Sequence, residues 1–262
     1  MPKFAANVSM MFNEVSFLER FAAAAAAGFR AVEFAFPYEF PVEKIAEQLN
    51  KHRLENVLFN LPPGDLAAGD RGTACLPGRQ AEFRASVQTA LGYALRLKTP
   101  RLHVLAGVVP QGADPTICKA TFVDNLQYAA AEVAPHGIML MIEAINTRDI
   151  PGYYLNFQAQ THALMEEIGA PHVKMQMDCY HMQIMEGDIA MKLRKYMAHC
   201  GHVQIAGVPN RHEPDNGEVN YPYIFELLDS LGYGGWVGCE YRPAGKTVDG
   251  LGWLQSWAAR VR

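Results

Sequence analysis

The chain has 262 residues, a length typical of one (β/α)8 barrel, since that fold takes about 250 residues. Half of the residues are hydrophobic and 19% are charged, which excludes general disorder and predicts one packed domain over residues 1–262. The formal net charge is −4 and no block of lysines and arginines stands out, so nucleic acid is not an expected partner.

The cysteines and the apolar segments indicate the compartment. The five cysteines are widely spaced, with no Cys-x-x-Cys pair, which is typical of free thiols in a reducing compartment. The start of the chain lacks the apolar core of a secretory signal, and no later run approaches the roughly 18 uncharged apolar residues of a membrane span. We therefore expect a cytoplasmic protein without a membrane partner.

Strand and helix signals alternate through the first half of the chain. Residues 3–10 alternate as a strand does, and Ser16 and Glu19 have capping-box spacing before an alanine-rich helix that ends near Gly28. The next predicted strands are residues 31–36, 56–61 and 101–105. The predicted helices that follow them are residues 42–51, 80–97 and 115–133.

The second half repeats the alternation. Its predicted strands are residues 138–143, 173–178, 202–205 and 236–240, and its predicted helices are residues 158–168, 188–197, 221–231 and 247–261. Eight such units without a linker favour the α/β class and a closed (β/α)8 barrel over an open, doubly wound sheet. No Gly-x-Gly-x-x-Gly follows the first strand, which argues against dinucleotide binding.

Four oxygen-bearing side chains occupy the ends of the last four predicted strands: Glu143, Asp178, Gln204 and Glu240. In a barrel of this kind the strand ends form one mouth, and neighbouring strands lie about 4.8 Å apart, so these side chains can converge. Three carboxylates at one place repel one another unless protons or a cation neutralise them. The all-oxygen set predicts a divalent metal, with Mg²⁺ the first expectation and Mn²⁺ the second.

Other polar residues lie in segments that follow the predicted strands. The candidate substrate ligands are His181, Arg211, Asn60, Arg71 and Arg79. Arg211 suits a two-point contact with a substrate carboxylate, and His181 suits donation to a substrate oxygen. His103 is a candidate for supporting a metal ligand from behind, with an ordinary buried histidine as the alternative.

The sequence resembles the hydroxypyruvate isomerase family of the xylose isomerase-like barrels over nearly its whole length. The motifs that carry the resemblance are FAANVSMMF, GFRAVEFAFPYEF, NLPPGD, LPGR, IEAIN, QMDCYHMQIMEG, GHVQIAG, RHEPDNGEVNY and GWVGCEY. In that family the glutamates matching Glu143 and Glu240 are the acid/base pair. Together with the positions matching Asp178 and Gln204, they hold a divalent metal.

The resemblance implies a proton transfer between adjacent carbons of a small hydroxy-oxo acid, through an enediolate. The family includes hydroxypyruvate isomerase, which interconverts hydroxypyruvate and tartronate semialdehyde, and 2-oxo-tetronate isomerase, which acts on an acid one carbon longer. HVLAGVVP and VNYPYIF resemble the latter, whereas IEAINTRDIPGYYL and DCYHMQIMEG resemble the former. The first expectation is hydroxypyruvate isomerase and the alternative is 2-oxo-tetronate isomerase, with a homo-oligomer left open.

Three more distant hypotheses remain. A DNA repair nuclease related to endonuclease IV needs more histidine ligands and a basic face. A ketose 3-epimerase has histidine at the position of Gln204 in its relatives, and Arg211 favours an acidic substrate. A barrel that binds without catalysis is not excluded by fold alone.

Overall fold

The protein is described by a computed structural model over residues 2–259. Within that range eight parallel strands close into one barrel, and the last strand pairs with the first. The predicted (β/α)8 fold is confirmed. The strands are β1 Lys3–Asn7, β2 Ala31–Phe34, β3 Glu55–Asn60, β4 Arg101–His103, β5 Met139–Glu143, β6 Val173–Asp178, β7 Cys200–Ile205 and β8 Trp236–Cys239.

Helices surround the barrel. They are α1 Phe17–Ala26, α2 Val42–His52, α3 Gln80–Leu97, α4 Pro115–Val133, α5 Gln158–Ile168, α6 Cys179–Met185, α7 Ile189–Tyr196, α8 Tyr221–Ser230 and α9 Gly252–Ala259. Three helices, α3, α4 and α5, have the bounds that periodicity predicts. Among the described residues, no helix combines the length and the apolar character needed to cross a membrane.

Several element ends differ from the prediction. β1 ends at Asn7, not at residue 10, because the Asn7 carbonyl accepts hydrogen bonds from the Met10 and Met11 amides in a turn. The expected helix over residues 247–261 is a 3₁₀ turn, Thr247–Gly250, followed by α9, and its residues 260 and 261 lie outside the described range.

The short helix α6 is absent from the sequence prediction. It begins directly after β6, where the carboxylate of Asp178 accepts a hydrogen bond from the Tyr180 amide at 2.7 Å. One residue therefore ends a strand and caps a helix, which leaves no loop residues between the two elements to mark the boundary.

The barrel interior has one layer of apolar side chains, followed along the barrel axis by a layer of polar side chains. Ala5, Ala31 and Met141 belong to a small buried apolar cluster. Two residues further along β1, β2 and β5 lie the buried polar side chains of Asn7, Glu33 and Glu143. Because side chains two apart on a strand share a face, this polar layer lies nearer the carboxyl ends of the strands.

The cysteines are free thiols, as predicted. Cys179 and Cys239, which adjoin Asp178 and Glu240 in sequence, are fully buried, and burial raises the pKa of both thiols well above the usual range. They are therefore neutral packing groups at physiological pH.

Candidate active site

The strand ends bring the predicted ligands together at the barrel mouth. Glu143 and Asp178 are the last residues of β5 and β6, and Asp178 is in register with Gln204 on β7. Glu240 follows the last residue of β8, so the predicted strand end is one residue too long. Ligand atoms of Glu143, Asp178, Glu240 and His181 all lie within 4.8 Å of one another.

We call Glu143, Asp178, His181 and Glu240 the mouth cluster. Its carboxylates are poorly exposed to solvent. Glu143 and Asp178 are 3% and 0% exposed, and Oε1 of the first and Oδ2 of the second have no hydrogen-bond partner among the described residues. The Glu240 side chain is 17% exposed, which makes it the carboxylate of the three most open to the mouth. Buried, unpaired carboxylate oxygens are costly unless a proton or a cation neutralises them.

The pKa shifts follow from this crowding. Burial raises the pKa of Asp178 to about 6 and that of Glu240 to about 8, although the nearby Arg211 guanidinium opposes both shifts. Burial, with the charges of Asp178 and Glu240 nearby, raises the pKa of Glu143 well above its usual range. The cluster therefore favours any positive charge that enters it.

Arg211 is the positive charge that the chain itself supplies. One of its amino groups donates to Glu240 Oε2 at 2.8 Å and lies 3.7 Å from Asp178 Oδ2. The guanidinium stacks over the Tyr180 ring at 4.9 Å, and its other amino group lies 3.4 Å from Asp149. It therefore holds one fixed place beside the carboxylates.

His181 lies between the acidic cluster and α6. Its Nε2 is 3.6 Å from Asp178 Oδ2, and its Nδ1 lies 2.6 Å from the side-chain amide nitrogen of Asn146. Burial, with the charge of Arg211 beside it, lowers the pKa of His181 well below the usual range. The backbone and side-chain amides of Asn146 both donate to Nδ1, which assigns the proton of the neutral ring to Nε2. Nε2 points toward the cluster and also lies 3.4 Å from an amino group of Arg211.

His103 connects Asn60 to Glu143. Its Nε2 lies 3.4 Å from Glu143 Oε2, and its Nδ1 lies 3.2 Å from Asn60 Oδ1. Burial lowers the pKa of His103 to about 3, so the ring is neutral at physiological pH. His103 Nε2 has no hydrogen-bond partner among the described residues, so its support of Glu143 stays a prediction. Asn60 contacts the ring on the side away from Glu143, and its substrate-binding role also stays a prediction.

Arg71 and Arg79 contact their own loop. The Arg79 guanidinium pairs with both oxygens of Asp70, at 2.7 and 2.6 Å, and with Glu82 at 2.7 Å. Arg71 donates to the backbone carbonyls of Asp70 and Leu66. Their substrate-binding role stays a prediction, whereas Arg211 and His181 do lie at the cluster.

A buried polar network under the mouth was missed by the sequence reasoning. Glu33 on β2 is fully buried and accepts hydrogen bonds from Gln204 Nε2 at 2.7 Å and from Asn7 Nδ2 at 3.0 Å. The ring of His202 lies 2.7 Å from its other oxygen, and Gln176 donates to Gln204 Oε1 at 2.6 Å.

A signal for this network exists in the sequence. Gln176 precedes Asp178 by two residues, and His202 precedes Gln204 by two, so each shares a strand face with a predicted ligand. The network fixes which way the Gln204 amide points. Its nitrogen faces Glu33, while its oxygen keeps a lone pair beyond the bond from Gln176.

Comparisons with known proteins identify the family to which the chain belongs. The sequence profile of the xylose isomerase-like TIM barrel family matches residues 21–257. A 2-oxo-tetronate isomerase of Cupriavidus necator is 56% identical over 99% of this chain and 100% of its own length. The hydroxypyruvate isomerase of Escherichia coli is 45% identical over 98% of this chain and 100% of its own.

A solved structure is also close. A crystal structure described as AP endonuclease, family 2 from Brucella melitensis is 52% identical, with a TM-score of 0.97 over 98% of this chain and 99% of that one. Profile, relatives and structure all extend across almost the whole barrel. The chain belongs to the xylose isomerase-like TIM barrel family, in the group that contains the hydroxypyruvate and 2-oxo-tetronate isomerases.

Proposed function

We propose that the protein is a divalent-metal-dependent isomerase that moves the carbonyl group of a small hydroxy-oxo acid between adjacent carbons. The observation that carries this proposal is the mouth cluster, in which the carboxylates of Glu143, Asp178 and Glu240 converge and two buried oxygens, one on Glu143 and one on Asp178, are unpaired. The names of the relatives support the same reaction class.

The residues fit a hard divalent cation. Glu143, Asp178, Gln204 and Glu240 would hold it, through three carboxylates and one amide oxygen, the donor set that suits Mg²⁺ or Mn²⁺. When bound, the ion supplies Lewis acidity, which stabilises negative charge on the substrate oxygens. Its positive charge also keeps the glutamates ionised, and therefore able to act as bases, despite their burial.

The chain's own residues supply the proton transfers. One of the two glutamates takes the proton from the carbon that bears the hydroxyl group and the other takes the hydroxyl proton, which gives an enediolate. The second glutamate then delivers its proton to the neighbouring carbon, and the first returns its proton to the former carbonyl oxygen. Arg211 binds the substrate carboxylate, and the Nε2 proton of His181 stabilises charge on a substrate oxygen. The carbonyl and hydroxyl groups exchange places, and no atom is gained or lost.

For the substrate we propose 2-oxo-tetronate ahead of hydroxypyruvate. The sequence motifs divide between the two isomerases, and the first expectation from them was hydroxypyruvate. The relative named for 2-oxo-tetronate is 56% identical to this chain, against 45% for the Escherichia coli hydroxypyruvate isomerase. We therefore expect a higher kcat/KM for the four-carbon acid, with measurable turnover of the three-carbon acid.

Proton NMR in D₂O tests both parts of the proposal. Metal-loaded protein is offered the two acids in parallel, and we expect isomerisation with deuterium entering the carbon that receives the proton.

Glu143→Gln and Glu240→Gln each remove one acid/base group, so kcat should fall by about 10²- to 10⁴-fold and deuterium incorporation with it. Glu47→Gln, on the exposed face of α2, is the matched control. Unchanged exchange in Glu240→Gln would remove Glu240 from the acid/base pair.

A second candidate, DNA repair nuclease, has one observation in its favour: the description of the Brucella melitensis structure. Against it, the mouth cluster contains one histidine, and the chain is acidic overall. A nuclease would bind abasic duplex DNA in a salt-sensitive way and cleave it. We expect neither result, and cleavage that is lost in Asp178→Asn would favour the nuclease.

A further inference from the structure

A second group of metal-ligating side chains lies outside the mouth. His162 and Glu166 are four residues apart on α5, so they lie on one helix face a single turn apart. His199 ends the 3₁₀ turn Met197–His199 directly before β7. One ligand atom from each of these three residues lies within 4.8 Å of the others.

The two imidazole rings are in contact with each other. The centroids of His162 and His199 are 4.5 Å apart and the rings are nearly perpendicular, at 80°. The Tyr196 ring also packs against the His162 ring, with their centroids 5.2 Å apart, and this contact limits rotation of the His162 side chain. Nδ1 of His199 is 4.0 Å from Glu166 Oε1. Tetrahedral zinc with bonds of about 2.0–2.1 Å needs ligand atoms about 3.3 Å apart, a difference that small side-chain rotations supply.

The donor set selects a different metal from the mouth cluster. Two imidazole nitrogens and one carboxylate suit Zn²⁺ and its neighbours Co²⁺ and Ni²⁺, whereas the mouth offers mainly oxygen. The side chains of His199 and Glu166 are 35% and 61% exposed, so solvent reaches the group and water can complete the coordination.

The group, which we call the α5 site, lies toward the opposite end of the barrel from the mouth cluster. Helices of a (β/α)8 barrel run antiparallel to the strands, so the end of α5 lies near the start of β6. His199 precedes the first residue of β7, at the same end of the barrel. A metal here would join α5 to the segment that enters β7 without touching the mouth.

We propose that His162, Glu166 and His199 form a binding site for a Zn²⁺-class transition metal, distinct from the site of the proposed isomerase reaction. A bound ion cross-links α5 to the turn before β7 and stabilises the folded barrel, because the unfolded chain does not hold the three ligands together. This proposal is independent of the proposed function.

Zinc titration of untagged, chelator-treated protein at about pH 7.5 tests the α5 site, since neutral imidazole is the ligating form. Asp178→Asn serves as the background, because it weakens the mouth cluster and leaves the α5 site intact. In that background we expect one equivalent of Zn²⁺ by calorimetry. We also expect His162→Gln or His199→Gln to weaken binding at least tenfold, and the exposed His136→Gln to leave it unchanged.

Two further readouts keep the test decisive. If Asp178→Asn does not fold, the unmodified protein should bind two equivalents of Zn²⁺ and the His162→Gln/His199→Gln double variant one. In histidine ¹⁵N spectra, the His162 and His199 ring nitrogens should shift on addition of Zn²⁺ and not of Mg²⁺. Equal zinc affinity and stoichiometry with and without the two histidines would overturn the proposal. Isomerase turnover should persist in His162→Gln, which separates this site from the mouth.

Discussion

Arg211 places a permanent positive charge next to the buried carboxylates, and it donates to Glu240 at 2.8 Å. In the proposed reaction, a substrate carboxylate that reaches the mouth would compete with Glu240 for the same guanidinium. Binding of the substrate anion would then free Glu240 to act as a base. The backbone of Arg211 is in the left-handed region, with φ of 58°, and its amide donates to the Gly207 carbonyl at 2.7 Å, so a tight turn presents the side chain to the mouth.

We expect Arg211→Met to raise KM for the acid substrate by about 10- to 100-fold, since hydrogen bonds to charged groups contribute roughly 1.5–3 kcal/mol. Steady-state kinetics with saturating Mg²⁺ measures the change. Arg211→Lys should recover only part of the loss, because an ammonium group cannot make the two-point contact of a guanidinium.

Arg79 provides the comparison at the same scale. Its guanidinium is held by Asp70 and Glu82, so Arg79→Met should change KM far less than Arg211→Met does. A larger KM effect at Arg79 would reverse this assignment and support the substrate-binding role that the sequence predicts for it.

At the scale of elements, β8 depends on a residue without a side chain. A Cβ placed on Gly238 would lie 2.3 Å from an oxygen of Glu33, which is already paired with His202 and Gln204. The Glu33 carboxyl group therefore occupies the space that a side chain at Gly238 would fill. The position of Gln204 at the mouth depends on this packing between three strands.

Gly238→Ala should destabilise the protein by about 2–4 kcal/mol, because overpacking adds to the cost of separating the buried Glu33 carboxyl group from its hydrogen-bond partners. Urea unfolding monitored by circular dichroism gives the difference. Gly234→Ala is the matched control, since a Cβ there meets no atom within 4 Å. Equal stability of the two variants would mean that Glu33 moves aside at little cost.

At the scale of the whole molecule, we expect the mouth cluster to link stability to pH and to metal binding. A carboxyl group whose pKa is raised in the folded state holds a proton that the unfolded chain releases at lower pH. Its contribution to stability is therefore present at low pH and is lost as pH rises toward the folded pKa. For Asp178 and Glu240 in the metal-free protein, these folded pKa values are about 6 and about 8.

We therefore expect the melting temperature of chelator-treated protein to fall between about pH 5 and pH 8, and Mg²⁺ to raise it more at the higher pH, where protons no longer compete for the carboxylates. Turnover should disappear with the chelator and return with Mg²⁺ or Mn²⁺. Thermal scans with and without metal at several pH values give the first result. Glu240→Gln should flatten the pH dependence, and equal metal effects at both pH values would contradict the linkage.

The sequence by itself determined the barrel and the carboxylates at its mouth. Both follow from local patterns: apolar strands that end on Glu143 and Asp178 or directly before Glu240, and a fold that sends every strand end to one mouth. The bounds of α3, α4 and α5 also follow from periodicity within each segment.

The tertiary structure alone decided which polar groups meet. Glu33 and His202 are 169 positions apart, and a pairing across that separation leaves no mark in either local segment. Arg79 and Arg211 are both loop arginines in the sequence, yet one pairs within its own loop and the other reaches Glu240. Residue type and strand position are local properties, whereas the partner of a charged side chain depends on what the closed barrel places beside it.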